Sequence, residues 1–158
     1  MKRIYLAGGL FNAGERLHNL HLEKALKDLG YDVILPQREA LRHFDGKVFN
    51  VSDIVESCSN CCSDINNLFV GNTDGSDSDS GTCVEYGIAI SSNKRAIVYR
   101  TDFRTAEEKE LGLNAMLKAK QTIFVYEPCF FTELSEVDLF YQNLAKRIDK
   151  AIQLILID

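Results

Sequence analysis

The stretch GNTDGSDSDSGTCVEYGIA, residues 71–89, concentrates the side chains best suited to chemistry. Its first eleven residues hold three aspartates, three serines and three glycines, after which the chain turns into the apolar run CVEYGIAI. Glu85 is the one acid inside that run, six residues after Asp79, and Asp53 lies upstream in VSDIVES. A carboxylate in the first turn of a helix is kept ionised by the helix dipole, which suits a nucleophile that attacks as an anion. A second acid nearby can hold or relay a proton for a leaving group, the division of labour of retaining glycosyl transfer. The same residues also have a plainer reading. Thr82-x-x-Glu85 has the spacing of a capping box, and DGSDSDS the composition of a solvated turn. One geometry can serve both purposes, so the plain reading does not exclude the chemical one.

Other chemistries fit less well. AGGLFNAGE, after the first apolar segment, matches neither GxGxxG nor a P-loop, so no nucleotide cofactor is expected. Gly8 and Gly9 point instead to a backbone that a ligand or a helix approaches closely. CSNCC (Cys58, Cys61, Cys62) contains a CxxC but lacks the second ligand pair of a zinc site. It also falls late in a helical pattern, where redox CxxC motifs do not sit, and reads as inert, partly buried thiols. HNLH places His18 and His21 on one helical face without a third ligand, and reads as solvated surface. No Ser or Cys stands at a nucleophile elbow, and all three histidines precede residue 44. Carboxylate chemistry without metal or cofactor remains.

The elements that must position these acids alternate along the chain. Strand patterns run over 3–8, 32–36, 65–70, 95–99 and 122–126, and helical ones over 15–30, 48–63, 82–91 and 106–120. Val137, Phe140, Leu144, Ile148 and Ile152 mark a final helix. Short apolar strands alternating with helices predict an α/β fold with a five-stranded parallel sheet covered on both faces and right-handed crossovers. The loop at 71–80 then belongs at the C-terminal edge of the sheet, where open α/β folds place ligands.

At 158 residues the chain has the size of one domain. Its net charge of −5, without basic runs, argues against nucleic acid or an anionic membrane as partner. No apolar stretch approaches the ~20 residues of a membrane span. The first strand pattern begins at Arg3, which leaves no room for a signal peptide. Five cysteines, an odd number, then point to reduced thiols in the cytoplasm.

IYLAGGLF, SDINNLFV, DSGTCVEYGIA, YRTDFR and GLNAMLK, in this order, resemble the nucleoside 2-deoxyribosyltransferase family from about Arg3 to Tyr126. The resemblance implies a flavodoxin-like three-layer fold, no cofactor, and exchange of one base for another on 2-deoxyribose through a covalent deoxyribosyl-enzyme. It implies Glu85 as nucleophile, Asp79 as an acid at the sugar and base edge, Asp53 as proton donor to the departing base, and Tyr5 as a hydroxyl that positions the nucleophile. Asn114 would reach into a neighbouring subunit's site in a homo-oligomer, Gln37 would contact the base and Phe11 would wall the pocket. The terminal LILID differs from members that close the site with a terminal tyrosine. Two rivals stand beside this reading: a nucleoside 5′-monophosphate N-glycosidase on the same scaffold that hands the sugar to water, and, from another class, a nucleotide-binding sensor module without chemistry.

Overall fold

The computed structural model describes residues 2–104 and 113–157. Five strands form one parallel sheet: β1 (Arg3–Ala7), β2 (Asp32–Ile34), β3 (Asn67–Asn72), β4 (Ala96–Arg100) and β5 (Thr122–Tyr126). Their order, β2-β1-β3-β4-β5, is the flavodoxin-like doubly wound order, with helices on both faces. The helices are α1 (Ala13–Asp28), a single turn α2 (Pro36–Glu39), α3 (Val51–Ser63), α4 (Ser80–Ser91) and α5 (Val137–Ile157).

Side chains of a strand alternate between faces, and here that alternation sorts the core into two clusters. Ile4 and Leu6 of β1 join Val70, Ile97 and Tyr99 beneath Leu22 and Leu26 of α1 and Leu144 and Ile148 of α5. Tyr5 and Ala7 face the other way, with Phe69 and Val98, toward Cys62 of α3 and Tyr86 and Ala89 of α4. The first cluster is the larger. The second is the one that matters for chemistry, because it turns Tyr5 toward α3 and α4.

The chain winds from β1 outward to β2 and then returns to the other side of β1 as β3. A crevice opens at the C-terminal ends of β1 and β3, where the direction reverses. The loops after these two strands, 8–12 and 73–79, therefore frame the site.

Several boundaries differ from the sequence reading. α1 begins at Ala13, two residues before the expected start, because the Asn12 side chain accepts from Glu15 N while Glu15 returns the bond to the cap backbone. Pro36 does not merely stop β2; it occupies the first turn of α2, where its missing N–H costs nothing. The helical pattern over 106–120 yields, within the described residues, a 3-10 turn at Ala115–Leu117; the rest of its first half lies outside them. Among the described residues no helix is long and apolar enough to cross a membrane.

Candidate active site

The start of α4 decides the position of both acids. Asp79, not Thr82, is the N-cap: its Oδ2 accepts from Thr82 N at 2.8 Å and from Thr82 Oγ1 at 2.9 Å. A Cβ at Gly81 would lie 3.2 Å from that same oxygen, so this position favours glycine. With the helix beginning at Ser80, Glu85 is its sixth residue and too far along to return a capping bond. The capping-box reading of Glu85 is therefore corrected. So is its placement in the first turn, and with it the expectation that the helix dipole keeps it ionised, since that effect fades beyond the first turn.

Glu85 instead meets β1. The hydroxyl of Tyr5, a residue only 1% exposed, donates to Glu85 Oε1 at 2.6 Å. Burial pushes the Glu85 carboxyl up to about 7; the Tyr5 bond opposes this, the charge of Asp79 adds to it, and the Cys58 thiol opposes it again. Burial also raises Tyr5 far above the ordinary tyrosine range, so the phenol stays a donor.

Glu85 lines a cavity of about 480 Å³. Leu10, Phe11, Pro36, Phe49 and Ile54 form an apolar wall, while Asp79, Thr82, Glu85 and Cys58 form its polar end. Gly8 lies in the floor; a Cβ there would come within 3.3 Å of Asn19 Oδ1 and Asn72 Cβ. Phe11 stands at the mouth, 80% exposed. Arg16 also lines this cavity and gives its Nη1 to the Leu10 carbonyl at 3.2 Å.

A second cavity of about 390 Å³ adjoins the first at Asp79 and is strongly acidic, with Glu15, Asp74 and Asp77 in its lining and, among the described residues, neither lysine nor arginine. Its loop is tied down rather than solvated. Asp74 accepts from Thr101 N at 2.5 Å, Thr101 Oγ1 at 2.6 Å and Asp102 N at 2.8 Å. Arg100, fully buried, donates to the carbonyls of Thr73 and Gly75, each at 2.8 Å. Gly75 has φ of 103°, a backbone that side-chain-bearing residues rarely adopt. The solvated-turn reading of DGSDSDS thus fails for Asp74.

His18 also departs from the solvated-surface reading. Its ring lies within 2.9 Å of Tyr99 Oη, 3.1 Å of Asn72 Nδ2 and 3.0 Å of Tyr141 Oη, and it stacks on Tyr99. Burial lowers its pKa. This neutral ring bridges α5 to the floor of the acidic cavity.

The other sequence candidates are not gathered with Glu85. Asp53 lies in the first turn of α3, where its Oδ2 accepts from Asn50 Nδ2 at 2.8 Å, and it lines a separate surface cavity with Arg42 and His43. Gln37 is buried, its Oε1 accepting from Asn19 Nδ2 at 3.1 Å. Asn114 is exposed and caps the 3-10 turn, its side chain accepting from Met116 N at 2.9 Å. The sequence reading took Cys58, which lines the Glu85 cavity, for an inert, partly buried thiol, and it missed Arg100. Ile54 and Cys58 are four residues apart, the spacing of one helical face, and that was the available signal for Cys58.

The chain can be compared with known proteins on this basis. A search of curated proteins found no match. Among solved structures, a conserved protein from Enterococcus faecalis V583 is similar with a TM-score of 0.62 and 23% identity, over 96% of this chain and 99% of the other. A 2-deoxyribosyltransferase from the psychrotolerant bacterium Bacillus psychrosaccharolyticus is similar with a TM-score of 0.57 and 21% identity, over 86% and 90% of the two chains. At such identities these likenesses establish the shared fold. The sequence profile described as nucleoside 2-deoxyribosyltransferase reaches further, matching residues 4–116. That span runs from β1 through Tyr5, Asp79 and Glu85 to Asn114, and the chain belongs to the nucleoside 2-deoxyribosyltransferase family.

Proposed function

We propose that this protein transfers the 2-deoxyribosyl group between nucleobases by a double displacement through Glu85, the whole chain acting as one cytoplasmic domain without metal or cofactor in nucleoside salvage. The observation that carries the reading is Glu85, held by the Tyr5 hydroxyl and lining a largely apolar cavity. Tyr5 holds Oε1, and the second carboxylate oxygen attacks the anomeric carbon from the side opposite the base. The electron pair of the glycosidic bond passes to the base nitrogen, which takes up a proton. A second base then attacks the same carbon, expels Glu85 as carboxylate and gives up its own proton. The apolar wall stacks on either base and keeps water from the ester.

Asp79 is the one other carboxyl lining the Glu85 cavity among the described residues. We assign it to the sugar and base edge, where it accepts from a sugar hydroxyl or passes the proton to the base. The Asp53 carboxylate is held by Asn50 and lines a separate cavity, so in this reading the proton does not pass through it. Asn114 is exposed on its own chain, and so is the nearby Met116. Both features support a homo-oligomer in which Asn114 reaches a neighbour's site.

The acidic cavity also bears on the rival monophosphate glycosidase. A 5′-phosphate placed beside Asp79 in the acidic cavity would meet Glu15, Asp74 and Asp77, with no lysine or arginine among the described residues of that lining and Arg16 only in the adjoining cavity. Chromatography of deoxyinosine incubated with a second free base tests the reading. A new deoxynucleoside is expected, with deoxyinosine 5′-monophosphate consumed at least tenfold more slowly. Faster base release from the monophosphate than from the nucleoside would overturn it, and a nucleoside bound but left intact would point to a module without chemistry.

A further inference from the structure

We propose that Arg16 is the base-reading residue of this site and that it selects 6-oxopurines, the bases that offer its guanidinium two adjacent acceptors. The inference rests on the reading of Glu85 as nucleophile and deepens it by naming the base. That reading puts the sugar at Glu85 and Asp79, which α4 and its cap supply. The base must then extend toward the lining that other elements supply. On that side, among the described residues, Arg16 of α1 is the one charged side chain.

The half-buried guanidinium has donors to spare. Among the described residues its one hydrogen-bond partner is the Leu10 carbonyl, which accepts from Nη1 at 3.2 Å. That bond holds the head beside another residue of the lining and leaves the rest of the fork unpaired. The other polar side chains are engaged. Thr82 Oγ1 donates to Asp79, and Glu85 accepts from the Tyr5 hydroxyl. Gln37, the residue that the resemblance assigns to the base, is spent too: its Oε1 accepts from Asn19, and its Nε2 donates to the Arg16 carbonyl at 3.4 Å. Reading a base edge with strong donors therefore falls to Arg16.

A fork that only donates discriminates among bases. On the edge away from the glycosidic bond a 6-oxopurine presents N7 and O6, both acceptors, which a guanidinium meets with two parallel N–H bonds. Adenine sets an amino group beside N7, where it would face another donor. Thymine offers one oxygen beside a methyl, and cytosine an amino group. The fork also helps the base to leave. As the C1′–N9 bond breaks and a Glu85 oxygen bonds to C1′, the electron pair passes to the base and its charge spreads to N7 and O6. Arg16 meets that charge there before N9 takes up its proton.

The test compares deoxyinosine with deoxyadenosine as sugar donor to free cytosine in the wild type, Arg16→Lys and Arg16→Met. The wild type is expected to favour deoxyinosine in kcat/KM by about tenfold or more, the discrimination of one good bidentate pair. Arg16→Met keeps an apolar stem without a donor and should lose most of that margin by slowing deoxyinosine alone. Arg16→Lys, a charge without the fork, should fall between the two. A residue that merely braced the loop at Leu10 would slow both donors alike and leave the ratio unchanged. No preference in the wild type, or an unchanged ratio in Arg16→Met, overturns the inference. So does a loss confined to the 5′-monophosphates of the two nucleosides, which would make Arg16 a phosphate ligand. If Arg16→Met does not fold, the ratio in Arg16→Lys decides: a fall supports base reading and an unchanged value refutes it. Equilibrium dialysis of free hypoxanthine and adenine puts the same question without turnover. A protein that binds hypoxanthine ahead of adenine, and loses that margin in Arg16→Met, but transfers no sugar would remove the proposed function and leave the base-reading role intact.

Discussion

Glu85→Gln is expected to lower exchange turnover by about a thousandfold or more while making the protein more stable above pH 7. The loss follows from the chemistry: an amide cannot replace the carboxylate that attacks the sugar, and residual rate would come from binding alone. The gain follows from burial. A glutamate in the unfolded chain titrates near 4.5, whereas Glu85 in the fold is held up to about 7. Below pH 4.5 both states are protonated and the side chain carries no penalty. As pH rises from 4.5 to 7 the unfolded state ionises first, so stability is lost through that window. Above 7 the full penalty, on the order of 3 kcal/mol, is in place. Gln removes it, since it is neutral throughout and keeps an oxygen for the Tyr5 hydroxyl. Urea unfolding at pH 5 and pH 8 should show a larger gain at pH 8. An equal effect at both pH values would contradict the buried-charge argument, and retained activity would contradict the nucleophile.

Arg100→Leu is expected to destabilise the protein by about 2–5 kcal/mol, because the carbonyls of Thr73 and Gly75 would lose their donor. Arg100 is 2% exposed, so water cannot easily replace it. Exchange activity should fall at least tenfold under conditions where the variant is still folded, since the loop it braces ends at Asp79. Arg104→Leu supplies the comparison. Arg104 pairs with Asp102, but its side chain is 61% exposed, and a pair of that kind is worth less than about 1 kcal/mol. Equal effects from the two substitutions would mean that the buried carbonyl bonds do not hold the loop.

Why some of this was legible in the sequence and some was not has a physical explanation. Strands such as RIYLA and AIVYR are apolar on both faces, which is what burial between two helix layers demands, and their alternation with helices fixed a parallel sheet. The crevice at β1 and β3 followed from that. Helix starts were less legible, because Asp79 and Thr82 both have capping chemistry and only three-dimensional competition selects Asp79. That choice decided whether Glu85 serves the helix end or the cavity. The orientation of α3 was not legible either. Asp53 and Cys58 both lie on a helix beside the site, and the rotation of that helix turns the thiol inward and the carboxylate outward. Arg100 stood in the recognisable YRTDFR, yet nothing local in the sequence pairs an arginine with carbonyls 25 and 27 residues earlier. His18 looked like a helix surface until Tyr141 of α5 closed over it, a contact 123 residues away in sequence.

The central claim is a covalent bond between Glu85 and the anomeric carbon, and one measurement addresses it directly. A nucleoside carrying fluorine at the 2-position of an arabinose ring and a good leaving base should react once and stall. Fluorine withdraws electrons from the cationic transition states of both steps, while the leaving base keeps the first step passable. Mass spectrometry of the digested protein should then find the fluorosugar on Glu85, within SGTCVEYG, and an added acceptor base should slowly release it as a new nucleoside. A label on Asp79 or Asp53, or base exchange with no adduct under any quench, would contradict the account.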